Sequence, residues 1–411
     1  MKKNFLVSLV YLFPAIILVL FTPISSAQLS TSENRILLQI QKLLEYPQVL
    51  QGWTNLTNFC YLPPSPSLKI VCSNSHVTEL TIIGTKKKTK LVSWRSDDET
   101  LSARFSIDSF FTALTKLSNL KGLSLVSLGL WGPLPSKIKR FWSLEVLNIS
   151  SNFIYGGIPQ SISSMKSLRS VVLADNLFNG SVPDLRKLAS LEEINLSDNK
   201  LGPEFPLLSK NLERIILRNN SIRCQIPPQL KHFDKLELFD ISSNVILGNI
   251  PSFIFSLPFL KYLNLAANQL SGALPVNLSF SSVLMFVDIS HNLLVGELPS
   301  CIGSKSSNRT TLYSWNCLST RSLDDQYPSS YCQRVEALAV KPPLRRRKES
   351  KTQLGLILGI IGGAVGLLVL MVPLILCIFK KSKAEKVGSN KDISRSHKFS
   401  DHAYPRPSKN I

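Results

Sequence analysis

The sequence predicts a curved α/β solenoid of stacked repeats, with short parallel strands on its concave face. The first observation is a pattern close to L-x-x-L-x-x-L-x-L-x-x-N-x-L-x-G-x-I-P that recurs eight times between Leu117 and Pro299. The second is the period, since 21 to 24 residues separate the prolines that end successive copies. These prolines are Pro135, Pro159, Pro183, Pro206, Pro227, Pro251, Pro275 and Pro299. Self-similarity at this period is typical of a solenoid, and eight copies argue against chance spacing in a leucine-rich globular domain.

Each copy carries a strand followed by an asparagine. In the second copy Leu147 and Ile149 alternate with polar residues, which predicts a strand with one buried face. The side chain of Asn152 can then bond the backbone of neighbouring turns, whose polar groups the stacking would otherwise leave unpaired. The same slot holds Asn176, Asn199, Asn220, Asn244, Asn268 and Asn292, whereas the first copy has Leu128 there. The fourth and fifth copies are short and Cys224 replaces a glycine, so we expect a local irregularity.

The G-x-I/L-P ending of the copies resembles the plant-type leucine-rich repeat. The expected fold is therefore an α/β leucine-rich repeat solenoid with eight repeats within residues 105–299. Such a solenoid needs sealed ends, because a single unit cannot bury its apolar edge alone.

The N-terminus predicts export from the cell. Lys2 and Lys3 precede an apolar run at 5–21, and Ser25 and Ala27 are small residues at the −3 and −1 positions of a cleavage site. Residues 1–27 are therefore predicted to be a secretory signal peptide, with an N-terminal membrane anchor as the alternative. Export implies an oxidising compartment in which disulfides form.

Residues 28–104 are predicted to form an N-terminal cap and an insertion. Apolar residues at helical spacing predict a helix at 32–46 that starts with Ser32 as its N-cap. A cysteine pair, Cys60 and Cys72, and a lone strand at 77–82 follow, and we expect a disulfide between the two cysteines. Residues 84–104 interrupt the repeats; a solvated surface insertion is favoured there over a basic docking loop.

Three segments carry a more specific resemblance. They are LLEYP at 43–47, LSNLKGLSLVSLGLWGPLP at 117–135 and LMFVDISHN at 284–292. With the repeats, they make residues 32 to about 382 resemble a plant family of probable inactive leucine-rich repeat receptor-like protein kinases. The resemblance implies a single-pass plasma-membrane receptor whose cytoplasmic kinase domain lacks catalytic residues.

Residues 300–353 are predicted to form a C-terminal cap and a juxtamembrane segment. Cys301, Cys317 and Cys332 lie there, and we favour a disulfide between Cys317 and Cys332, although Cys301 could take either partner. Glycosylation is expected at the N-x-S/T sequons, in line with export. The acceptor residues are Asn55, Asn148, Asn179, Asn195, Asn219, Asn277 and Asn308. Asn148 and Asn195 fall on the concave side, where a glycan would obstruct the groove.

An uncharged apolar segment at 354–379 predicts a transmembrane helix, with a buried core helix as the alternative. The signal peptide places its N-terminal side outside the cell, so 380–411 is a cytoplasmic tail, basic at its start and disordered. This is a type I topology at the plasma membrane. Gly355, Gly359 and Gly363 share one helix face, which would permit weak self-association through this helix.

Composition and motifs exclude several functions. Much of the net charge of +20 is concentrated at the two flanks of the apolar segment, which indicates membrane and surface charge rather than nucleic-acid binding. No C-x-x-C, H-E-x-x-H or G-x-S-x-G occurs, so we expect no catalytic, cofactor or metal site. The kinase motifs are also missing after residue 379, in contrast to the resembled family. We therefore expect a short form without kinase activity of its own.

The predicted function is a cell-surface receptor for a peptide or a co-receptor ectodomain. The central outward slot of the strands holds Ser124, Asn148, Val172, Asn195, Ile216, Asp240, Asn264 and Asp288. An apolar and acidic surface in the last three copies, which we call the C-terminal patch, is the predicted contact. It consists of Leu238, Asp240, Tyr262, Asn264, Met285, Phe286 and Asp288.

Three other interpretations stay open at this point. The patch could be ordinary solenoid surface. The chain could be a truncated receptor-like kinase or pseudokinase whose function lies in a missing cytoplasmic domain. A structural or decoy role, in which the ectodomain titrates a ligand without signalling, is the third.

Overall fold

The computed structural model describes residues 29–86, 100–275, 278–303, 309–319 and 325–333. The predicted signal peptide, transmembrane segment and tail lie outside these ranges, as do Asn277 and Asn308. Within the ranges, no helix is both long enough and apolar enough to cross a lipid bilayer.

One long sheet organises the described residues. Eleven strands lie side by side in it, and all neighbours are parallel except the first pair, which is antiparallel. The strands are β1 Leu68–Ser73, β2 His76–Ile83, β3 Gly122–Val126, β5 Val146–Asn148, β7 Ser170–Val172, β9 Glu193–Asn195, β11 Arg214–Ile216, β12 Leu238–Asp240, β14 Tyr262–Asn264, β16 Phe286–Asp288 and β18 Thr310–Leu312. Each unit returns to the same edge before its next strand, which is the arrangement of a leucine-rich repeat solenoid.

Shorter strands on the return path form two further sheets of four strands each. The first contains β4 Trp131–Pro133, β6 Phe153–Gly156, β8 Leu177–Gly180 and β10 Lys200–Leu201. The second contains β13 Leu247–Gly248, β15 Gln269–Ala273, β17 Leu293–Glu297 and β19 Cys317–Ser319. Between them only an isolated bridge joins Gln225 to Leu247, next to Cys224. The expected irregularity of the short copies therefore interrupts the return strands, while the long sheet runs through.

Short 3₁₀ helices follow several of the repeat prolines. They span Ser136–Arg140, Gln160–Ser164, Pro228–His232 and Ser252–Ser256, with two more in the N-terminal cap at Gln48–Leu50 and Phe59–Tyr61. Pro135 has φ −75° and leads directly into the first of the four, because its ring fixes the backbone near helical φ. Each of the four buries at least one apolar side chain, as Ile138 and Ile162 show.

The asparagines that follow the strands form the backbone hydrogen bonds that the sequence predicts. We call this series the asparagine ladder. Asn152 is fully buried; its Oδ1 accepts hydrogen bonds from the backbone N–H groups of Leu128 and Leu130, both at 3.1 Å. Its Nδ2 donates to the carbonyls of Leu125 and Ile149 at 2.8 and 3.0 Å. Each later asparagine accepts from one backbone amide of the turn before it and donates to a carbonyl of that turn, so the ladder pairs backbone groups that stacking removes from water.

The N-terminal cap differs from the sequence prediction in two details. Helix α1 spans Thr31–Leu43 and is capped by Ser30, whose hydroxyl accepts from the Glu33 amide, so Ser32 is not the N-cap. The predicted lone strand is β2, which pairs with β1 as a hairpin. Cys60 and Cys72 form a disulfide beside it. A second helix, α2 at Ile107–Leu114, leads into the repeats.

Both described ends of the insertion are tied to the solenoid. The Gly84 amide donates to the Val126 carbonyl at 2.8 Å, and the Leu101 amide donates to that of Gly129 at 3.0 Å. Leu101 is buried and its carbonyl accepts from the indole N–H of Trp131. The insertion thus enters and leaves beside the first repeat.

The solenoid continues for one turn beyond the predicted last repeat. After helix α3 at Ser300–Gly303, strand β18 extends the long sheet and Asn316 takes the next ladder position. Its Oδ1 accepts from the Leu294 amide at 3.1 Å, so the cap itself contains a repeat turn. Cys317 and Cys332 form a disulfide, whereas Cys224 and Cys301 are free thiols.

Candidate binding face

The residues in the central outward slots of successive strands form one continuous row across the long sheet. Strand register pairs its members one to the next, from Ser124 to Asp288. The row also continues at both ends, to Thr81 in β2 and to Leu312 in β18. The register therefore places Asp240, Asn264 and Asp288 on three adjacent strands, about 4.8 Å apart from one to the next.

The polar members of this row fold back onto their own backbone. Oδ1 of Asp240 accepts from the amide and the hydroxyl of Ser242, at 2.9 and 2.6 Å. Asp288 makes the same two bonds with Ser290, at 2.9 and 2.6 Å. The Asp240 residue is only 8% exposed, so it forms the floor of the face rather than a projecting group. This turn bonding is specific to Asp, Asn and similar short polar side chains.

The neighbouring row supplies the aromatic part of the patch. The rings of Tyr262 and Phe286 stack with 4.5 Å between centroids and 6° between planes. Leu238 pairs with Tyr262 on the preceding strand, and all three side chains are half-buried. The Tyr262 hydroxyl accepts a 3.4 Å hydrogen bond from Nδ2 of Asn264, which links the aromatic row to the central row.

Met285 is the most exposed member of the patch, at 58%. The amides of Met285 and Phe286 both donate to the Lys261 carbonyl, at 3.0 and 3.1 Å. The other repeats have the same paired bond, for example from the Lys261 and Tyr262 amides to the Glu237 carbonyl, so it marks the start of each strand. Met285 and Phe286 are thus two consecutive apolar residues, exposed and half-buried, at the start of β16.

The cations around the patch already have partners. Arg218 donates to Asp198 at 3.0 Å, and Lys261 pairs with Glu237 at 2.9 Å. Asp240 and Asp288 form no ion pair with any residue in the described ranges.

The charges of the two acids reach the phenol of Tyr262. Burial is the largest cause that raises the pKa of Tyr262, and the Asp240 and Asp288 carboxylates raise it further. The hydrogen bond from Asn264 and the charge of Arg218 act in the opposite direction. Strand register and the hydrogen bond between Asn264 and Tyr262 join the aromatic and acidic parts of the patch into one surface.

The described sequons fall in two settings. Asn148 and Asn195 lie in the central row of the N-terminal half, half-buried, and their Oδ1 atoms accept from the amides of Ser150 and Ser197. Asn55, Asn179 and Asn219 are exposed elsewhere on the solenoid. The C-terminal patch contains no described sequon.

Sequence reasoning missed the aromatic continuation of the face. His291 stacks on Trp315 with 5.8 Å between ring centroids, and Trp315 meets Tyr327 edge-on at the same distance. Leu312, 43% exposed, extends the central row beside them. The signal was present in Asn316, which lies 24 residues after Asn292, but the proline that ends each copy has no counterpart there. In the described part of the chain, no three His, Cys, Asp or Glu side chains are placed to hold a metal ion.

Comparison with known proteins identifies relatives in plants. A family model described as Leucine Rich Repeat matches residues 143–165. A probable inactive leucine-rich repeat receptor-like protein kinase of Arabidopsis thaliana is 42% identical over 86% of the chain and 49% of its own length. A probable LRR receptor-like serine/threonine-protein kinase of the same organism is 46% identical over 80% of the chain and 44% of its own length. The chain thus spans less than half of the length of these curated relatives.

Solved structures show the same fold. The LRR ectodomain of the plant membrane receptor kinase GASSHO1/SCHENGEN3 from Arabidopsis thaliana, in complex with CASPARIAN STRIP INTEGRITY FACTOR 2, is 28% identical with a TM-score of 0.56, over 69% of this chain and 32% of that one. The ectodomain of the Arabidopsis receptor kinase HAESA, in complex with an extended IDA peptide hormone ligand, is 26% identical with a TM-score of 0.51, over 69% and 49%.

Proposed function

Because this chain is homologous to the plant leucine-rich repeat receptor-like kinases, we propose that it is a cell-surface receptor-like protein that binds a peptide or a co-receptor ectodomain. The contact surface is the C-terminal patch, on the face of the long sheet that the solenoid fold makes concave. The predicted signal peptide and the predicted span at 354–379 support a location at the plasma membrane.

One observation carries this proposal. Tyr262 and Phe286 stack in register on the solvent-facing side of the long sheet, beside the row that holds two carboxylates without an ion pair to a described residue. Accessible aromatic side chains beside polar groups are the composition of binding hot spots. The similar HAESA ectodomain was solved with a peptide hormone ligand, which supports a peptide as the partner.

The length comparison supports a second candidate. The relatives are about twice as long as the matched part, so this chain could be one portion of a receptor-like kinase or pseudokinase. An immunoblot of plasma membranes after deglycosylation separates the two. A band near the mass of the 45.8 kDa chain less its signal peptide supports the short receptor, and a band heavier by a kinase domain supports the second candidate.

A capture experiment tests the patch itself. The full chain carrying Tyr262→Ala and Phe286→Ala should retain less of a synthetic peptide pool than the unmodified chain. The matched control is Trp142→Ala with Phe259→Ala, which removes two exposed aromatics, 75% and 55% accessible, outside the patch. Equal capture by the Tyr262/Phe286 variant and the control would contradict the proposed function.

A further inference from the structure

We propose that the C-terminal patch selects peptides by a basic side chain, arginine or lysine, which it holds between Asp240 and Asp288. This inference rests on the proposed function and names the chemistry of the ligand. Three features of the patch support it: unused carboxylate oxygens, uncompensated charge, and an apolar wall beside the acids.

The first feature is that the two oxygen atoms of each carboxylate differ in their hydrogen bonding. Oδ1 of Asp240 and Oδ1 of Asp288 each take two hydrogen bonds from a following serine. No described residue donates a hydrogen bond to either Oδ2 atom, and none forms an ion pair with either carboxylate. The turns therefore fix the position of each carboxylate and leave one strong acceptor on each. Asp240 is more than nine-tenths buried, and an ionised oxygen in such a place is stabilised by a cationic partner.

The second feature is the charge around the two acids. Arg214, Arg218 and Lys261 lie in the neighbouring rows, and each is bonded to a different carboxylate, those of Glu193, Asp198 and Glu237. Arg309, which follows Met285 on the next strand, instead packs over the Phe280 ring at 4.1 Å and donates to the Leu284 carbonyl. The charge of Arg218 does reach Asp240, but its hydrogen bond goes to Asp198 at 3.0 Å. The carboxylates of Asp240 and Asp288 are therefore open to an ion pair with a bound ligand.

The third feature is the arrangement of size and polarity. The stacked rings of Tyr262 and Phe286 stand on one side of the row that holds the acids, and the small side chains of Ser242, Ala266 and Ser290 follow on the other. A basic side chain can lay its methylene groups along the rings and place its charged head at the Oδ2 atoms. Arginine fits this requirement best, since its planar group donates to more than one acceptor.

The test uses two synthetic peptide pools of random sequence that differ at one fixed central position. That position is arginine in one pool and citrulline, which has the same shape without the charge, in the other. The full chain in lipid nanodiscs should capture the arginine pool about tenfold better. In Asp240→Asn with Asp288→Asn this preference should fall to about one, with capture of the citrulline pool unchanged.

The chain supplies its own matched controls. Asparagine occupies the same slot at Asn148, Asn195 and Asn264 and accepts the same turn bond, so the double variant keeps the fold. Glu204→Gln with Glu297→Gln removes two charges elsewhere and should leave the preference intact.

The outcomes separate the inference from the proposed function. Equal capture of the two pools by the unmodified chain overturns the inference and leaves peptide binding standing. A preference that survives in the Asp240/Asp288 variant also overturns it. If neither pool is captured at all, the proposed function fails together with the inference.

Discussion

The phenol ring of Tyr262 lies parallel to the phenyl ring of Phe286, with 4.5 Å between their centroids. The two residues are direct partners in neighbouring parallel strands, so the repeat period itself brings the rings together. Each ring covers one face of the other, and both residues are partly accessible to solvent. The same pair therefore stabilises two repeats and offers an apolar surface to a partner.

The stacked pair should be measurable as a coupling energy. Unfolding free energies of Tyr262→Ala, Phe286→Ala and the double variant should show non-additivity of about 0.5–1.5 kcal/mol, because each single change removes the same ring contact. Chemical denaturation of the full chain gives these values. Additive losses would show that the rings touch without stabilising each other.

The pKa of Tyr262 should report the charges of the patch. Burial raises this pKa above its usual value, and Asp240 and Asp288 raise it further, so Asp240→Asn with Asp288→Asn should lower it. Since the pKa is raised in the folded state, its contribution to stability is complete below about pH 10 and is lost as the pH rises through the folded pKa. Phenolate absorbance, with Tyr262→Phe subtracted, follows the titration. An unchanged pKa in the double variant would place the acids too far from the ring.

A single ladder asparagine should carry a large share of local stability. Asn292 is 1% exposed; its Oδ1 accepts from the Leu270 amide at 3.0 Å, and its Nδ2 donates to the Leu265 carbonyl at 3.0 Å. Asn292→Ala leaves the Leu270 amide buried without a partner, at a cost of roughly 1–3 kcal/mol. Thermal unfolding measures the loss, and the exposed Asn55→Ala serves as the control. A loss no greater than that of the control would mean that water replaces the side chain.

Gln326 should act as the last step of the ladder. Its Oε1 accepts from the amides of Asn316 and Leu318 at 3.2 and 3.3 Å, and its Nε2 donates to the Tyr313 carbonyl at 3.4 Å. Leu318 and Tyr313 lie 24 residues after Leu294 and Ile289, the residues that Asn316 bonds in the turn before it, so Gln326 stands in for the next asparagine.

Gln326→Leu should therefore loosen the last turn. Amide hydrogen exchange at residues 310–319 should accelerate, because two N–H groups lose their acceptor. Gln160→Leu, at an exposed position with no described side-chain bond, is the control. Equal amide exchange rates in the two variants would mean that the Cys317–Cys332 disulfide alone stabilises the last turn.

The repeating part of this fold could be predicted because one local pattern dictates both strand and ladder. Asn152 and its successors are spaced so that each must meet the turn before it, and the row from Ser124 to Asp288 follows from the same period. The turn at Asn316 was missed because its sequence departs from the pattern.

Other features depend on contacts that periodicity does not encode. Gln326 reaches the ladder from a segment without repeats, and only the packed cap shows which backbone groups need it. Asp240 lies in an outward slot yet is buried, whereas Asp288, with the same turn bonds, is only partly buried, so the packing around each slot sets its exposure. The long sheet passes the short copies unbroken while the return strands do not, since only the return path absorbs the missing residues.

The most direct test of the central claim is to find where a captured peptide lies. Benzoylphenylalanine can replace Phe286 within the patch, or Phe259, which is 55% exposed outside it, in otherwise identical full chains. After illumination with the arginine peptide pool, cross-linked peptide should appear on the chain labelled at 286 and not on the chain labelled at 259. Cross-linking at 259 with none at 286 would contradict binding at the C-terminal patch.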